Sequence, residues 1–288
     1  MKKAGVILVV ILLASLTAGC IGGKSATGTN HSPQGKTSSG NITASSTASP
    51  KSQQYSVKEL LDNIREIHQF SFLENTSIEL NVTAGRGNST QSENVTIIYH
   101  RKGYIDLTGK RADVNATTLT LPGGASLFTR SIIIGKEFYL FIGGRWIKLT
   151  NKTVPVLPDA FLNMTWKYNI VNFTERYLQK KPFKATFENR TQLLYYNITE
   201  EDLKAIAEAF LGNNANMTFN VTRGILELRF RNGVLIGGRM GYHMTVHTWG
   251  EAMGRRLDIY ETGNVYDEFV VFDINVKKRV SPPELERA

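Results

Sequence analysis

The sequence predicts an α+β fold: one large curved antiparallel sheet, a half-barrel, with helices covering the concave face. Three observations carry that prediction. Segments in which apolar and polar residues alternate follow one another along most of the chain, which is the period of strands with one buried face. Gly143-Gly144 and Asn232-Gly233 are tight turns that join neighbouring segments as hairpins. Only two segments carry a strong helical stripe, and a twisted sheet of many strands curls around whatever covers it.

The first helix opens at Ser56, with Glu59 three residues on as a capping box and Tyr55 with Leu60 as a hydrophobic staple. Its apolar stripe is Val57, Leu60, Leu61, Ile64 and Ile67. The second opens at Thr199, carries Glu200, Glu201 and Asp202 where the helix dipole favours acids, and ends at Gly212. Leu203, Ile206, Ala207, Phe210 and Leu211 form its stripe, and a weaker helical or irregular stretch lies between Pro158 and Gln179. Strands are expected from Phe70 to Ala84, Asn94 to Arg101, Tyr104 to Arg111, Leu127 to Ile134, Glu137 to Ile142 and Arg145 to Leu149. They resume from Phe183 to Asn189, Gln192 to Asn197, Met217 to Arg231, Val234 to Thr248, Arg255 to Glu261 and Phe269 to Lys277. In the first, Ile78, Leu80 and Val82 turn inward and Asn81 outward. Leu226, Leu228 and Phe230 alternate with Glu227, Arg229 and Arg231, which places the charged set on a wet face.

The 288 residues suffice for a sizeable core, and 41% apolar with 10% aromatic content is that of a globular protein. The chain divides into residues 1–19, a signal peptide; residues 20–53, a flexible tether; and residues 54–288, one folded domain. Met1-Lys2-Lys3, an apolar run from Ala4 to Leu16, and Thr17-Ala18-Gly19 before Cys20 form a charged start, greasy centre and small-residue cleavage site. That run is too short to span a membrane, which takes roughly 20 apolar residues, although an uncleaved anchor is the alternative. The leader resembles that of a lipoprotein, in which the cysteine becomes the lipid-bearing N-terminus, here Cys20. Two acyl chains would hold the protein stably at the outer, extracytoplasmic face of the cell membrane. Gly, Ser, Thr, Lys and Asn then dominate through Ser52, the composition of a flexible coil.

The acceptor pattern Asn-X-Ser/Thr occurs at Asn30, Asn41, Asn75, Asn81, Asn88, Asn94, Asn115, Asn151, Asn163, Asn172, Asn189, Asn197, Asn216 and Asn220, 14 of 21 asparagines. Chance would give about three, so the excess points to a glycoprotein with its sheet's outer face in open solvent. A lipoprotein leader with dense asparagine glycosylation is an archaeal combination.

The net charge of +9 is scattered apart from Lys277, Lys278 and Arg279, a solvated tail that could also meet anionic headgroups. No nucleic-acid partner is expected of an exported protein, and no protein partner can be named. A lone cysteine excludes internal disulfides and thiol-based zinc sites. His243 and His247 have metal-ligand spacing for a helix, but Met240, Tyr242, Met244 and Val246 make the segment a strand, which sets the rings about 13 Å apart. The glycine pairs at Gly123, Gly143 and Gly237 read as turns, not phosphate loops. Asp267-Glu268 and Asp258 with Glu261 are paired acids with no sign of facing each other, and no nucleophile elbow is present. Trp146, Trp166 and Trp249 read as packing residues rather than sugar platforms. No metal, cofactor, catalytic residue or enzymatic activity is therefore expected, and the ligand-binding residues stay unassigned.

The helix from Val57 to Gln69 leading into Phe70-Ser71-Phe72, the strand pair from Glu137 to Leu149, the helix from Thr199 to Leu211 and the ending from Val270 to Pro283 together resemble the LolA-like half-barrel superfamily. That superfamily includes bacterial lipoprotein carriers and the mycobacterial lipoproteins LppX and LprG. The resemblance implies a hydrophobic cavity between sheet and helices that binds or relays a lipid or other hydrophobic ligand. The alternative is a non-catalytic structural or envelope-interaction glycoprotein with a filled core, favoured by a closed interior packed with Phe70, Phe72, Tyr139 and Trp146. An extracellular hydrolase would need converging Asp, Glu or His side chains in a pocket.

Overall fold

The structure is a computed structural model that describes residues 54–86, 89–150, 157–204, 216–252 and 255–285. The leader, Cys20, the tether, Asn30, Asn41, Asn88, Asn151 and the second helix beyond Lys204 lie outside the described residues.

The described chain forms an open antiparallel sheet of eleven strands. The first meander is β1 (Gln69–Arg86), β2 (Ser89–Asp106), β3 (Arg111–Leu121), β4 (Ala125–Ile134), β5 (Glu137–Ile142) and β6 (Arg145–Leu149). The second is β7 (Lys184–Glu188), β8 (Thr191–Ile198), β9 (Met217–Arg231), β10 (Val234–Ala252) and β11 (Arg255–Phe272). Direct pairing of β1 with β11 joins them, giving the order β6-β5-β4-β3-β2-β1-β11-β10-β9-β8-β7. Helix α1 (Val57–Arg65) precedes the sheet, and α2 (Leu157–Lys167) and α3 (Ile170–Leu178) lie between its two halves. This is the α+β half-barrel expected from the sequence, and no helix among the described residues is long and apolar enough to cross a membrane.

Local chemistry fixes α1. The Ser56 hydroxyl accepts from the Glu59 amide at 3.2 Å while the Glu59 carboxylate accepts from the Ser56 amide at 2.7 Å, so two orphan donors are satisfied. Leu60 and Ile64 are fully buried. The stretch expected to be weak resolves into two helices, because Asn169 caps α3 by accepting from the Asn172 amide at 3.1 Å.

Several boundaries differ from the sequence-based expectation. Strand β2 runs unbroken through Gly103, and β11 unbroken through Gly263, where breaks were expected. Both glycines serve close approach rather than turning: a Cβ at Gly103 would lie 2.8 Å from the Phe72 ring, and one at Gly263 would lie 1.8 Å from the Glu79 carbonyl oxygen. Gly237 also sits within β10, at a bulge rather than a turn. Strand β3 was not expected, since Ala, Asp, Asn and Thr fill most of its positions and hide its alternation. In β9 the inward phase shifts from Met217, Phe219 and Val221 to Leu226, Leu228 and Phe230, because a register shift near Arg223, at φ 54, inserts an extra residue. Glu227 is buried rather than wet. Burial alone would raise its pKa, yet Arg229 and Arg239, each 2.8 Å away, hold it below the usual carboxylate range.

The core fills the inner face, with Phe70, Phe72, Ile78, Ile97, Leu226 and Val265 fully or almost fully buried. A second, smaller cluster lies on the outer face, where the final segment crosses β1 and β2 and Val280 packs with Tyr104, Ile132 and Tyr139. Asn275 pins that segment: its side-chain oxygen accepts from the amides of His68 and Gln69, and its nitrogen donates to the Glu66 carbonyl at 2.8 Å. Asn275→Ala removes these exposed hydrogen bonds, whose groups water can then reach, and should cost about 1 kcal/mol. Hydrogen exchange should then accelerate across residues 273–285, and unchanged protection there would show that Asn275 does not hold the segment.

Candidate ligand-binding cavity

The cavity arises from a break in the strand pattern. In β1 the inward phase runs Phe70, Phe72, Glu74, Thr76, Ile78, Leu80 and Val82, so an acid occupies an apolar position. The same happens at Arg101 in β2, between Tyr99 and Gly103, and at Asp267 in β11, between Val265 and Phe269. Register makes these coincidences meet: Glu74 lies directly opposite Arg101, and Thr76 directly opposite both Tyr99 and Asp267. Sequence reasoning treated Asp267 only as half of the acid pair Asp267-Glu268, with no sign of burial, and missed Glu74 and Arg101. The signal was a charged side chain in the inward phase of an otherwise apolar strand face.

Glu74 and Arg101 approach to 3.0 Å with side chains only 7% and 8% exposed. The Thr76 hydroxyl donates to Asp267 at 2.6 Å. The guanidinium also lies over the Phe72 ring, 4.8 Å from its centroid. Glu74 Oε2 and Arg101 Nε have no hydrogen-bond partner, although Oε2 itself is the atom that lies 3.0 Å from Arg101 Nη1. Burial pushes Glu74 well above the ordinary carboxylate range, against the pull of Arg101 and with the help of Asp267. Burial likewise pushes Asp267 up to about 6, opposed by Thr76 and Arg101. Two carboxylates facing one guanidinium favour retention of a proton by the pair.

Above this cluster lies a cavity of about 60 Å³ between sheet and helices. Its walls include Phe70, Phe72, Met164, Phe173 and Phe269, with Thr165 and Asn169 at the joint between α2 and α3. Those two polar side chains are committed to the helices, Thr165 donating to the Phe161 carbonyl and Asn169 to the Thr165 carbonyl, each at 2.9 Å. The cavity can hold a small polar group against an apolar wall, but as it stands it is not the size of an acyl chain. Two larger clefts open to the surface, about 430 Å³ beside α1 and the Asn232-Gly233 turn and about 170 Å³ under the final segment.

A further inward acid, Glu261 in β11, is fully buried opposite Val82 and Val246, and its oxygens have no hydrogen-bond partner among the described residues. Burial pushes its pKa up to about 8. It does not line the cavity.

The remaining candidates lie elsewhere. His243 contacts Asn264 at 3.0 Å and His247 contacts Asp258 at 2.9 Å, so the two rings have separate partners. No group of three or more His, Cys, Asp or Glu among the described residues could hold a metal ion. Trp166 packs half-buried against the core; Trp146 and Tyr139 belong to the outer cluster rather than the interior. Asn75, Asn81, Asn94, Asn189, Asn197, Asn216 and Asn220 are exposed, and Asn115, Asn163 and Asn172 are half-buried. The Asn172 side-chain nitrogen, the atom that would carry a glycan, donates to the Trp166 carbonyl at 2.9 Å.

No family model matches the chain, and no curated relative matches it. Solved structures similar to it include LprF from Mycobacterium bovis, at 13% identity and TM-score 0.38, covering 82% of this chain and 98% of LprF. They also include a DUF1329 family protein from Desulfovibrio piger, at 8% identity and TM-score 0.24, covering 77% and 93% of the two chains. A putative outer membrane lipoprotein-sorting protein domain from Vibrio parahaemolyticus has 6% identity and TM-score 0.18, covering 71% and 87%. Likeness at this level is one of chain path and transfers no function. The α+β half-barrel expected from the sequence is the fold seen here, an open eleven-stranded antiparallel sheet with helices.

Proposed function

We propose that this chain is a cell-surface lipoprotein whose half-barrel, residues 54–288, takes up a lipid or other hydrophobic ligand between the sheet and helices α2 and α3. The observation that carries the reading is a largely apolar hollow between sheet and helices whose floor holds buried polar atoms without hydrogen bonds, since such atoms ordinarily find one. In this reading Cys20 is lipidated after removal of residues 1–19, and residues 20–53 let the domain stand off the outer face of the membrane. Glycans occupy the exposed acceptors of the outer face, leaving the helix-covered face to the ligand. Cavities for drug-sized ligands run to about 300–1,000 Å³, so entry of a chain requires α2 and α3 to swing away from the sheet.

The small volume favours a second reading, a structural or envelope-interaction glycoprotein with a filled core. Native mass spectrometry of the purified protein, together with uptake of a fluorescent fatty-acid probe, separates the two. The first reading expects a co-purifying lipid mass and saturable uptake, reduced at least tenfold by Met164→Trp, which fills the hollow. Absence of both lipid and uptake would leave the filled core.

A further inference from the structure

The polar floor of the hollow is better matched to one kind of ligand head than to others. We propose that Glu74, Arg101 and Asp267 form a head-group subsite that takes an amphiphile by a hydrogen-bond-donating head, ammonium or hydroxyl, inserted inward. The proposal rests on the reading of the hollow as a ligand site and names the class of ligand. Two carboxylates face one guanidinium, and of the two buried atoms there without a hydrogen bond, Glu74 Oε2 and Arg101 Nε, the acceptor belongs to the acids that outnumber their base. Glu74 Oε2, although 3.0 Å from the Arg101 guanidinium, is buried on the cavity floor without a hydrogen bond, and in the low-dielectric interior an incoming donor there gains more than it would in water. A cationic head also supplies the charge that the pair of acids lacks. An ionised carboxylate head would instead add a further acid beside two that already share one proton and a single guanidinium. Thr165 and Asn169 already spend their donors within the helices, which leaves the sheet cluster to read the head. The cavity's size, about 60 Å³, is that of such a small head and not of a chain, so the subsite stands ready before the chain enters.

The test is calorimetric titration of the full-length protein with dodecylamine, dodecanol and dodecanoate, each below its aggregation concentration. The amine or the alcohol should bind at least tenfold tighter than dodecanoate, and the order of those two tells ammonium from hydroxyl. Asp267→Asn, and the double variant Glu74→Gln with Asp267→Asn, should bring all three within about twofold while near-ultraviolet circular dichroism stays native. Dodecanoate binding as tightly as the amine and the alcohol, or a preference that persists in folded variants, overturns the head-group assignment and leaves the hydrophobic site standing. Failure of all three to bind overturns both. The wild-type ranking is decisive even where the double variant does not fold.

Discussion

Glu261→Gln should stabilise the protein at pH 7 by about 3 kcal/mol, and the gain should vanish at pH 4. Glu261 has no charge partner and no hydrogen bond among the described residues, so burial alone raises its pKa, from 4.5 to about 8. Between those values the folded protein holds a proton that the unfolded chain has released. Stability is therefore fully present below pH 4.5 and falls as pH rises towards 8, reaching a loss of about 5 kcal/mol at the upper end. Glutamine keeps the shape and the polar burden of the protonated acid but never ionises, so the variant escapes this penalty. Urea denaturation of both proteins at pH 4, 5.5 and 7 measures it. A wild-type and variant difference that does not change with pH would mean that Glu261 reaches water or a partner. Glu74 and Asp267 shift in the same direction, so the variant should retain part of the pH dependence.

Arg101→Met should destabilise by about 3 to 5 kcal/mol, the usual cost of removing one member of a buried ion pair. Among the described residues the Arg101 guanidinium is the one base that pairs with Glu74, and its loss leaves two acids to share one apolar site. The companion variant Arg101→Met with Glu74→Met should recover a large part of the loss, because replacing both partners leaves no unpaired charge between them. A double-mutant cycle read by chemical denaturation at pH 7 gives the coupling. Strict additivity of the two changes would show that Glu74 and Arg101 do not act as a pair.

The order of hairpins, the capped helix at Ser56 and the inward phase of Ile78, Leu80 and Val82 were legible because each depends on residues close in sequence. The strands misread at Gly103 and Gly263 show the limit of such reading. Locally a glycine looks like a turn, and only the Phe72 ring or the Glu79 carbonyl lying across the sheet explains its presence. The outer cluster was hidden for the same reason, since Val280 finds Tyr104 and Tyr139 only after the final segment folds back.

By itself, the sequence determined that the chain builds a curved antiparallel half-barrel with one apolar face, since alternation and turn chemistry are local properties. It also marked Asn81 as standing away from that face. Tertiary structure alone decided that Glu74, Arg101 and Asp267 share one buried site, because Thr76 and Asp267 are 191 residues apart and meet only through the pairing of β1 with β11. A charge in an apolar phase has no partner until the register between distant strands supplies one, and loop closure over such a span cannot be read from neighbouring residues.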